Sequence, residues 1–544
     1  MNMNIHRRVP LVFRPHLELS EPQNCTQLEI DVEPTEVYSS FIYLACAIVV
    51  VLHIKHHSAV GSTVLFGLVA SAVGLALTPF LLVVCAIFTI YRYAAKKQLE
   101  KESGYMGLME GSDAYWAGEQ DYARSVINIL CMVDFSMLPN PDRKPIDAMR
   151  DVLGRIVGSD ASFKLNCKKK MSKFGYYYLE KCGVNLDENV RYIEQNLETK
   201  KDLEWFASEI ANEPIIRESF WEVLVGREPV SGSYPVMFRV HHALGDGYAL
   251  VQLFLDFMTD KDGKSRKFVR KESVLMRLVN GEYNKHFIHT FTSIINKIFV
   301  YLYALVVMAE QLFTPPDRNS LHNRIYLSGK KICRWTQVDL IKIKEIRRSL
   351  KCRFTDVVLT VLSNSLEGCF VNWGEKIDQV RLVLPARLPG SSSGMSNLFT
   401  VAMLELPLTG KGKFEKIVKT SERLRKLPDF LVNYWLLRVA FTIFPASFMA
   451  KMVTSLQSTI AISNVPGPKE MTKLAGCNVT DLVFFLPNRD TTGVGISMLS
   501  YADKFNIGIT VDSSLVTRTE QADEILEGIS LSIEQLHRSV VPLR

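Results

Sequence analysis

Two long apolar runs near the beginning of the chain predict a pair of membrane-spanning helices. The first, residues 38–54, approaches the roughly 20 residues that a helix needs to cross a bilayer. The second, residues 59–91, carries no charge and would be about 48 Å long as one helix, against about 30 Å of hydrocarbon. It must therefore tilt, bend or break, and Pro79 is the expected position because proline removes a backbone donor. Two buried core helices are the alternative, which the length and the lack of charge disfavour.

The charges around these runs predict a hairpin with both ends in the cytosol. Lysine and arginine mark the cytosolic side of membrane proteins. Such residues follow the second run: Arg92, Lys96, Lys97 and Lys101. Two spans would return the polar segment 1–37 to the cytosol, but residues 18–37 contain no Lys or Arg. Asn24-Cys25-Thr26 would be a glycosylation acceptor if it were lumenal, so the topology of residues 1–37 stays open.

From about Tyr105 the pattern changes to that of a globular α/β protein. Short apolar runs between turn residues predict strands, and apolar residues at 3/4 spacing predict helices. The predicted strands are residues 126–133, 221–225, 235–240, 380–384 and 399–406. The predicted helices are residues 145–158, 203–210, 250–257 and 356–370. Turn residues between the second and third of these strands predict a hairpin.

Two further apolar stretches are open to more than one interpretation. Residues 287–313 are strongly apolar but carry too much charge for a typical span, so we expect an interdomain or bilayer-surface helix. The prolines at 315–316 end that helix, and the polar coil to residue 323 is the predicted linker to a second domain. Residues 431–452 could line a substrate tunnel, dip into lipid or pack in the core.

The strongest chemical signal is the heptapeptide His241-His242-Ala243-Leu244-Gly245-Asp246-Gly247. It directly follows an apolar strand and precedes a helical pattern, so it places a base at a strand end. A neutral imidazole with an ordinary pKa of about 6.5 can take a proton from an alcohol at cytosolic pH. If His242 removes that proton while the hydroxyl attacks a thioester, an ester and a free thiol form without a covalent enzyme intermediate.

His242 is the predicted general base, and the other residues of the heptapeptide are its setting. His241 points to the opposite face of an extended segment, so we expect a structural role for it. Asp246 could cap the next helix, hold the loop by an ion pair or orient the imidazole, and its position at a helix entry favours a structural role. Gly245 and Gly247 are expected to adopt backbone conformations that side chains would resist.

Composition and charge exclude several other kinds of site. The net charge of +7 is modest and no long basic block is present, so no nucleic-acid partner is predicted. The ten cysteines include no CxxC pair, which indicates neither a zinc site nor a disulfide framework. We therefore predict no metal and no cofactor.

Several separate motifs resemble one enzyme family. The heptapeptide resembles the HHxxxDG motif of coenzyme A-dependent acyltransferases, and its flanks resemble the wax ester synthase/diacylglycerol acyltransferase family. Trp221 matches the tryptophan of the family's proline-leucine-tryptophan region, although Ser219-Phe220 replaces the proline and leucine. Asp356 matches the family's asparagine-aspartate-valine-valine segment, with Thr355 in place of the usual asparagine. Asn464, Pro466 and Gly467 belong to a segment similar to the family's C-terminal domain. The resemblance covers residues 105–544.

The resemblance implies two chloramphenicol acetyltransferase-like α/β domains with the active site in a tunnel between them. In this family the second histidine, here His242, is the general base, acyl-CoA is the donor, and long-chain alcohols or diacylglycerol are acceptors. The expected division is a polar segment (1–37), a transmembrane hairpin (38–91), an N-terminal acyltransferase domain (105–285), an apolar helix and linker (286–323), and a C-terminal domain (324–544). Lysines between residues 164 and 173 could contact coenzyme A or the anionic leaflet, or form a solvated face, and they stay unassigned.

The predicted function is a membrane-bound O-acyltransferase that makes wax esters or triacylglycerol. The lipid bilayer is its predicted partner, and the endoplasmic reticulum membrane, with cytosolic catalytic domains, is the expected location, with lipid droplets as a second site. A catalytically inactive lipid-binding or membrane-scaffolding protein of the same fold is the alternative. The intact histidine, aspartate and glycine pattern favours the enzyme, since a binding protein needs no base at that strand end. The resemblance leaves the acceptor open.

Overall fold

A computed structural model describes residues 64–541 apart from short gaps and one long one. The gaps are residues 139, 141, 159, 248, 251–252, 255–257, 260–300, 302–303, 310–312, 323–326, 388–394, 396, 398, 427–428 and 453–456. The predictions for the polar segment 1–37, the first apolar run 38–54 and the beginning of the helix 287–313 lie outside the described residues.

Helices and strands follow one another along the described chain as an α/β protein requires. The helices are α1 (Val64–Leu99), α2 (Gly111–Ala117), α3 (Pro145–Val157), α4 (Leu186–Asn189), α5 (Lys200–Ile210), α6 (Leu340–Ser349), α7 (Phe354–Asn372), α8 (Lys413–Lys426), α9 (Asp429–Ile443), α10 (Ala446–Met452) and α11 (Glu520–Val540). The strands are β1 (Tyr105–Leu108), β2 (Val126–Asp134), β3 (Cys167–Met171), β4 (Tyr177–Lys181), β5 (Val190–Tyr192), β6 (Trp221–Val225), β7 (Tyr234–His241), β8 (Met258–Thr259), β9 (Lys331–Asp339), β10 (Gln379–Arg387), β11 (Phe399–Pro407), β12 (Ile460–Pro466), β13 (Lys473–Leu474), β14 (Cys477–Phe485), β15 (Val494–Tyr501) and β16 (Lys504–Asp512). The mixed α/β class predicted from the sequence is confirmed.

The second apolar run forms the long helix α1. The helix continues through Pro79, so the run does not break there as it could have done. Residues Val69–Leu99 have a window of mean hydropathy 2.5 with none of it buried, which is what a helix that crosses a membrane requires. Among the described residues Phe354–Asn372 is also long and apolar enough, but 67% of its window is buried, as expected for a core helix. The length and exposure of α1 are compatible with a membrane anchor.

The first large sheet contains seven strands in the order β5-β6-β7-β2-β14-β13-β8. The predicted hairpin is confirmed, because β6 and β7 pair antiparallel with Trp221 opposite Val240. Strand β2 lies between β7 and β14, and nearly all its residues are buried because elements cover both faces of the sheet. This sheet carries the heptapeptide at the end of β7.

The second sheet contains six strands in the order β11-β10-β12-β15-β16-β9. The predicted strands at 380–384 and 399–406 are confirmed as parts of β10 and β11, which pair antiparallel. Helices α7 and α11 cover this sheet and bury apolar residues such as Leu362 and Ile529 in one hydrophobic core. The buried apolar residues of this core come from the second half of the chain.

Strands β13 and β14, from the second half of the chain, belong to the first sheet. β14 pairs antiparallel with β2, with Leu482 opposite Cys131. The two halves therefore share backbone hydrogen bonds as well as packed surfaces. The domain boundary at residue 324 stays a prediction. Residues 473–485 follow this boundary in the sequence, but they join the sheet whose other strands precede it.

A buried ion pair lies within the first sheet. The guanidinium of Arg239 on β7 pairs with the carboxylate of Glu222 on β6, and both side chains are almost completely buried. Arg239 also donates to Asn128 Oδ1 at 3.1 Å and to the Ile210 carbonyl at 2.8 Å. Buried charges are tolerated when they are paired and hydrogen-bonded in this way.

A third, small sheet, in the order β1-β4-β3, carries most of the lysines that the sequence left unassigned. These lysines pair with carboxylates of the same protein rather than forming an open cationic surface. The pairs are Lys164 with Asp113 at 2.5 Å, Lys168 and Lys170 with Glu180 at 3.2 and 2.8 Å, and Lys169 with Glu119 at 2.6 Å. A structural role is therefore favoured for these four.

Candidate active site

The heptapeptide forms the turn between strand β7 and the helix that begins at Gly247. His241 is the last residue of β7, and a 3-10 turn follows at His242–Leu244. The Asp246 carboxylate accepts a hydrogen bond from the Ala249 amide at 2.9 Å. This contact is that of a helix cap, because it satisfies an amide that has no partner within the helix.

The expectation of unusual backbone conformations at the two glycines is wrong. Gly245 has a φ of 177°, which is extended backbone that other residues adopt as well. Gly247 is not among the glycines with positive φ. A Cβ atom at Gly247 would instead lie 3.4 Å from Cγ2 of Val465, which is ordinary contact. Gly247 therefore marks where the second half of the chain approaches the heptapeptide.

His241 is built into a buried polar network. Its Nδ1 accepts from the Ala243 amide at 3.1 Å, so in the neutral ring the proton lies on Nε2. Nε2 lies 3.2 Å from Oε2 of Glu119, to which it can donate. Burial, followed by the nearby Lys169 ammonium, lowers the pKa of His241. Both ring nitrogens are engaged by the protein, which supports the expected structural role.

Glu119 joins this network to the small sheet. Burial would raise the pKa of its carboxyl, but hydrogen bonds and charge from His241 and Lys169 outweigh that effect and hold the pKa well below its ordinary value. The same carboxylate accepts from the Ser125 amide at 2.9 Å. Glu119 is thus an ionised carboxylate that holds the end of strand β7 through its contact with His241.

His242 is held by an aromatic ring. Its imidazole stacks on the indole of Trp116, with ring centroids 3.9 Å apart and planes 11° from parallel. Its backbone N–H donates to the Ser125 carbonyl at 2.7 Å. Burial lowers the pKa of His242 to about 3, so the ring is neutral throughout the physiological range and can accept a proton. A neutral imidazole can accept a proton, and the role of general base stays a prediction.

Arg489 supports the aromatic ring from the second half of the chain. Its guanidinium lies 4.3 Å from the centroid of the Tyr115 ring and 5.8 Å from that of Trp116. It also donates to the Gly118 carbonyl, just beyond α2, at 2.5 Å. These contacts fix the helix that presents Trp116 to His242.

Asn397 is a site residue that the sequence did not single out as functional. Its side-chain N–H donates to the His242 carbonyl at 2.7 Å and to Oδ1 of Asp113 at 2.9 Å. Asp113 is in turn paired with Lys164 at 2.5 Å. One amide therefore connects the second half of the chain to the backbone of the predicted base and to α2. Its place after a polar loop gave no periodic signal from which this contact could be inferred.

The segment around Asn464 lies beside the heptapeptide but presents its residues to different sides. Val465 packs on the core of the first half and contacts Gly247. Ile462 packs in the core of the second half, and alternation along β12 places Asn464 on that same side. A Cβ atom at Gly467, after Pro466, would lie 2.2 Å from the Ser500 carbonyl oxygen, so only glycine fits there.

The remaining motif residues lie in the cores. Trp221 begins β6, is buried, and donates from Nε1 to the Leu165 carbonyl at 3.0 Å. The Asp356 carboxylate accepts from the Arg353 amide at 3.0 Å at the beginning of α7. Burial raises the pKa of Asp356. Both contacts are structural.

The described residues contain no group of three or more His, Cys, Asp or Glu side chains arranged to hold a metal ion. The absence of a cofactor stays a prediction.

The C-terminal part of the chain matches a known family model. Residues 395–536 match the model described as the WS/DGAT C-terminal domain. This part of the chain therefore carries the C-terminal domain of the wax ester synthase/diacylglycerol acyltransferase family. The resemblance expected from the motifs is thereby confirmed, and with it the class of acyl-CoA-dependent O-acyltransferases.

Curated proteins that are similar to this chain come from bacteria and a plant. A putative diacylglycerol O-acyltransferase of Mycobacterium tuberculosis is 22% identical over 384 residues, which cover 66% of this chain and 81% of that protein. The O-acyltransferase WSD of Acinetobacter baylyi is 24% identical over 57% of this chain and 74% of its own. Wax ester synthase/diacylglycerol acyltransferase 9 of Arabidopsis thaliana is 24% identical over 65% of this chain and 83% of its own.

Two solved structures share the fold of this chain. The wax ester synthase/diacylglycerol acyltransferase from Marinobacter aquaeolei has a TM-score of 0.55 at 14% identity and covers 79% of this chain and 100% of its own. Trichothecene 15-O-acetyltransferase from Fusarium sporotrichioides has a TM-score of 0.53 at 14% identity, with coverages of 79% and 94%. Both show the two-sheet α/β architecture as a shared fold and carry no information on the substrate of this chain.

Proposed function

We propose that this protein transfers a long-chain acyl group from acyl-CoA to the hydroxyl of a fatty alcohol or diacylglycerol at a membrane. His242 acts as the general base, and the products are wax esters, triacylglycerol or both. The observation that carries the proposal is the neutral imidazole of His242, stacked on Trp116 where the two halves of the chain meet. The match to the family's C-terminal domain supports the class of reaction, and the relatives named above support the two acceptor classes.

The reaction follows from what the imidazole can do. His242 accepts the hydroxyl proton while the hydroxyl oxygen forms a bond to the thioester carbonyl carbon. The tetrahedral species collapses, the carbon–sulfur bond breaks, and the leaving thiolate takes the proton from the imidazolium. Coenzyme A and the ester are the only products, so the base returns to its neutral form. The stack on Trp116 keeps the ring plane fixed through both proton transfers.

The acceptors that we propose are dissolved in lipid, and α1 supports a membrane location. Its exposed apolar surface supports a role as an anchor, and the basic residues at its end support catalytic domains on the cytosolic side. We infer that the protein resides in the endoplasmic reticulum membrane, with lipid droplets as a second location. The charge pattern of the chain is the basis of that inference.

The test uses the full-length protein in microsomes with labelled acyl-CoA and a panel of hexadecanol, diacylglycerol and cholesterol. Labelled ester should form together with an equal amount of free thiol. His242→Ala should lower the rate by about 100- to 10,000-fold, the range expected for loss of a general base. His537→Ala is the matched control, because His537 lies on α11 and pairs with Glu345 at 2.7 Å. Ester formation that survives His242→Ala would refute the mechanism, and a folded wild type with no turnover would favour a lipid-binding protein.

A further inference from the structure

Helix α1 meets a belt of aromatic and basic residues at the end of its apolar run. Tyr91 on α1 packs edge-on against Phe174 of the β3–β4 loop, with ring centroids 6.1 Å apart. Lys97 lies 5.1 Å above the ring of Tyr93, and Lys173 lies 5.4 Å above that of Phe174. Such rings and cations collect at the boundary between hydrocarbon and water. The belt therefore marks the expected membrane surface.

The catalytic body, by which we mean the chain from Tyr105 onwards, contacts α1 on the hydrocarbon side of this belt. Phe88 packs against Phe444 and Phe448, with ring centroids 5.0 and 6.1 Å apart. Deeper along the helix, Thr78 Oγ1 lies 2.5 Å from the hydroxyl of Tyr301. A Cβ atom at Gly74 would lie 2.7 Å from Leu305, so the two segments approach as closely as glycine allows. These contacts hold parts of the second half of the chain beside the uncharged run.

Helix α9 is tied to α1 at both levels. At the deeper level its Val432 packs against Val307, which belongs to the same segment as Tyr301 and Leu305. Near the belt, Phe444 follows the end of α9 and contacts Phe88 directly. Because both anchoring points on α1 belong to the charge-free run, α9 lies alongside a part of α1 that would be surrounded by lipid.

In the described part of the chain, three apolar side chains on α9 and α10 are exposed. Trp435 and Val439, one helical turn apart, are each 42% exposed, and Phe448 on α10 is 44% exposed. We call Trp435, Val439 and Phe448 the lipid face. Beside it, Arg438 turns its guanidinium back to donate to the Tyr434 hydroxyl at 2.6 Å. The charge next to this face is thus partly satisfied by the protein itself.

We propose that the lipid face lies in the hydrocarbon of the bilayer that α1 crosses, so that the catalytic body is partly sunk into the membrane. This proposal rests on the membrane location given under the proposed function. Continuity with the exposed apolar surface of α1 identifies the occupant as lipid rather than a protein partner. The face is a second membrane contact, provided by the acyltransferase fold itself.

The opposite side of α9 contacts the helix that holds the base. Phe441 packs edge-on against Tyr115 of α2 with ring centroids 5.2 Å apart, and Thr442 Oγ1 accepts from the Gly111 amide at 3.2 Å. The next residue of α2, Trp116, is the ring on which His242 stacks. Helix α9 therefore lies between the proposed lipid face and α2, the helix whose Trp116 contacts His242.

Photocrosslinking in the full-length protein tests this placement. Trp435 is replaced by the photoreactive amino acid p-benzoylphenylalanine, and the protein is reconstituted in phosphatidylcholine vesicles whose acyl chains carry tritium. Trp205 is the matched control, since it is also an exposed tryptophan on a helix, at 51% exposure, and Phe80 on α1, at 65%, reports insertion of the anchor. After irradiation we expect lipid adducts at positions 435 and 80 at about tenfold the level at 205, because only these lie in hydrocarbon.

The outcomes separate this proposal from the proposed function. An adduct at position 80 without one at 435 overturns the lipid face and leaves the anchor intact. No adduct at either position overturns both the face and the membrane location. Trp435→Gln combined with Val439→Gln should lower turnover of vesicle diacylglycerol and spare that of a water-soluble short-chain alcohol. Leu531→Gln, at a residue 60% exposed on α11, should change neither rate. Equal loss with both acceptors in the double variant would contradict a lipid-delivery role.

Discussion

Replacing Trp116 by leucine tests most directly how the predicted base is held. In the wild type the indole covers one face of the His242 ring at 3.9 Å, and Arg489 fixes the helix that carries it. Leucine keeps most of the apolar contact but removes the flat ring surface. The imidazole would then be free to rotate, and water could reach the face that the indole now covers.

The size of the effect follows from the energy of an aromatic stack. Such a pair contributes about 0.5–1.5 kcal/mol beyond the area that it buries. Since about 1.36 kcal/mol corresponds to a tenfold change in rate, kcat/KM should fall about 2- to 13-fold at pH 8. Trp116→Phe retains a stacked ring and should lose less than Trp116→Leu.

The pH dependence distinguishes a positioning role from general loss of structure. Burial lowers the pKa of His242 to about 3, so the wild-type rate should show no acid limb from His242 between about pH 5 and 8. In Trp116→Leu, water at the ring should raise that pKa toward the ordinary value of about 6.5. At pH 5.5 only about 9% of such a ring is neutral, so the rate should fall about a further tenfold. The sign is fixed, because raising the pKa of a base removes its active form at low pH.

The assay is acyl transfer at a series of pH values with saturating acyl-CoA, using protein whose thermal unfolding matches the wild type. Trp205→Leu is the control, because this exposed tryptophan lies on α5, and it should leave the profile unchanged. Parallel pH profiles for the wild type and Trp116→Leu would refute the reasoning. An acid limb near pH 6 in the wild type itself would show that burial does not keep His242 neutral.

Three further predictions concern Asp246, Arg239 and Asp512. Asp246→Ala removes a helix cap and should cost about 1 kcal/mol of unfolding free energy in a denaturant titration while most turnover remains; loss of turnover with normal stability would instead make Asp246 a catalytic group. Arg239→Met leaves the buried carboxylate of Glu222 with the more exposed Arg191 at 3.2 Å as its remaining ion-pair partner, and should destabilise the protein by about 3–5 kcal/mol, measured by the same titration. Adding Glu222→Leu should restore part of that loss. Burial raises the pKa of Asp512, but the ion pair with Lys331 outweighs that effect and lowers the pKa to about 2. The folded protein therefore gains about 2 kcal/mol of stability from this carboxylate above about pH 4, and that stability should be lost as the pH falls toward 2. Asp512→Asn should lack that acid transition, and an unchanged transition would place it elsewhere.

Much of the fold could be predicted because its signals are local. The hairpin β6–β7 follows from two apolar runs with turn residues between them, and α7 follows from apolar spacing within one segment. The position of β14 could not be predicted in the same way. Its apolar run indicates a strand, but its pairing with β2 joins residues more than 300 positions apart, and the period of a strand does not identify its neighbour.

The site shows the same division. The two glycines of the heptapeptide indicated special backbone conformations, and the structure shows an extended Gly245 and ordinary contact with Val465 at Gly247. The lysines of residues 164–173 could have formed a solvated face or contacted coenzyme A or the membrane, and most are paired with carboxylates that the sequence places elsewhere. A charged residue or a glycine in the sequence allows several roles, and its neighbours in the folded protein determine which role it has.

Short stretches of neighbouring residues were enough to predict the apolar run of α1, the α/β class and His242 as the candidate base. Tertiary structure alone decided what surrounds that base. Trp116 reaches it through the packing of α2, and Asn397 reaches its carbonyl from 155 residues away. It also decided that α9 lies between the anchor and α2, with an exposed apolar side and a side that contacts the site. Such contacts depend on how covered sheets and helices fit together, and periodicity within a segment carries no information about that fit.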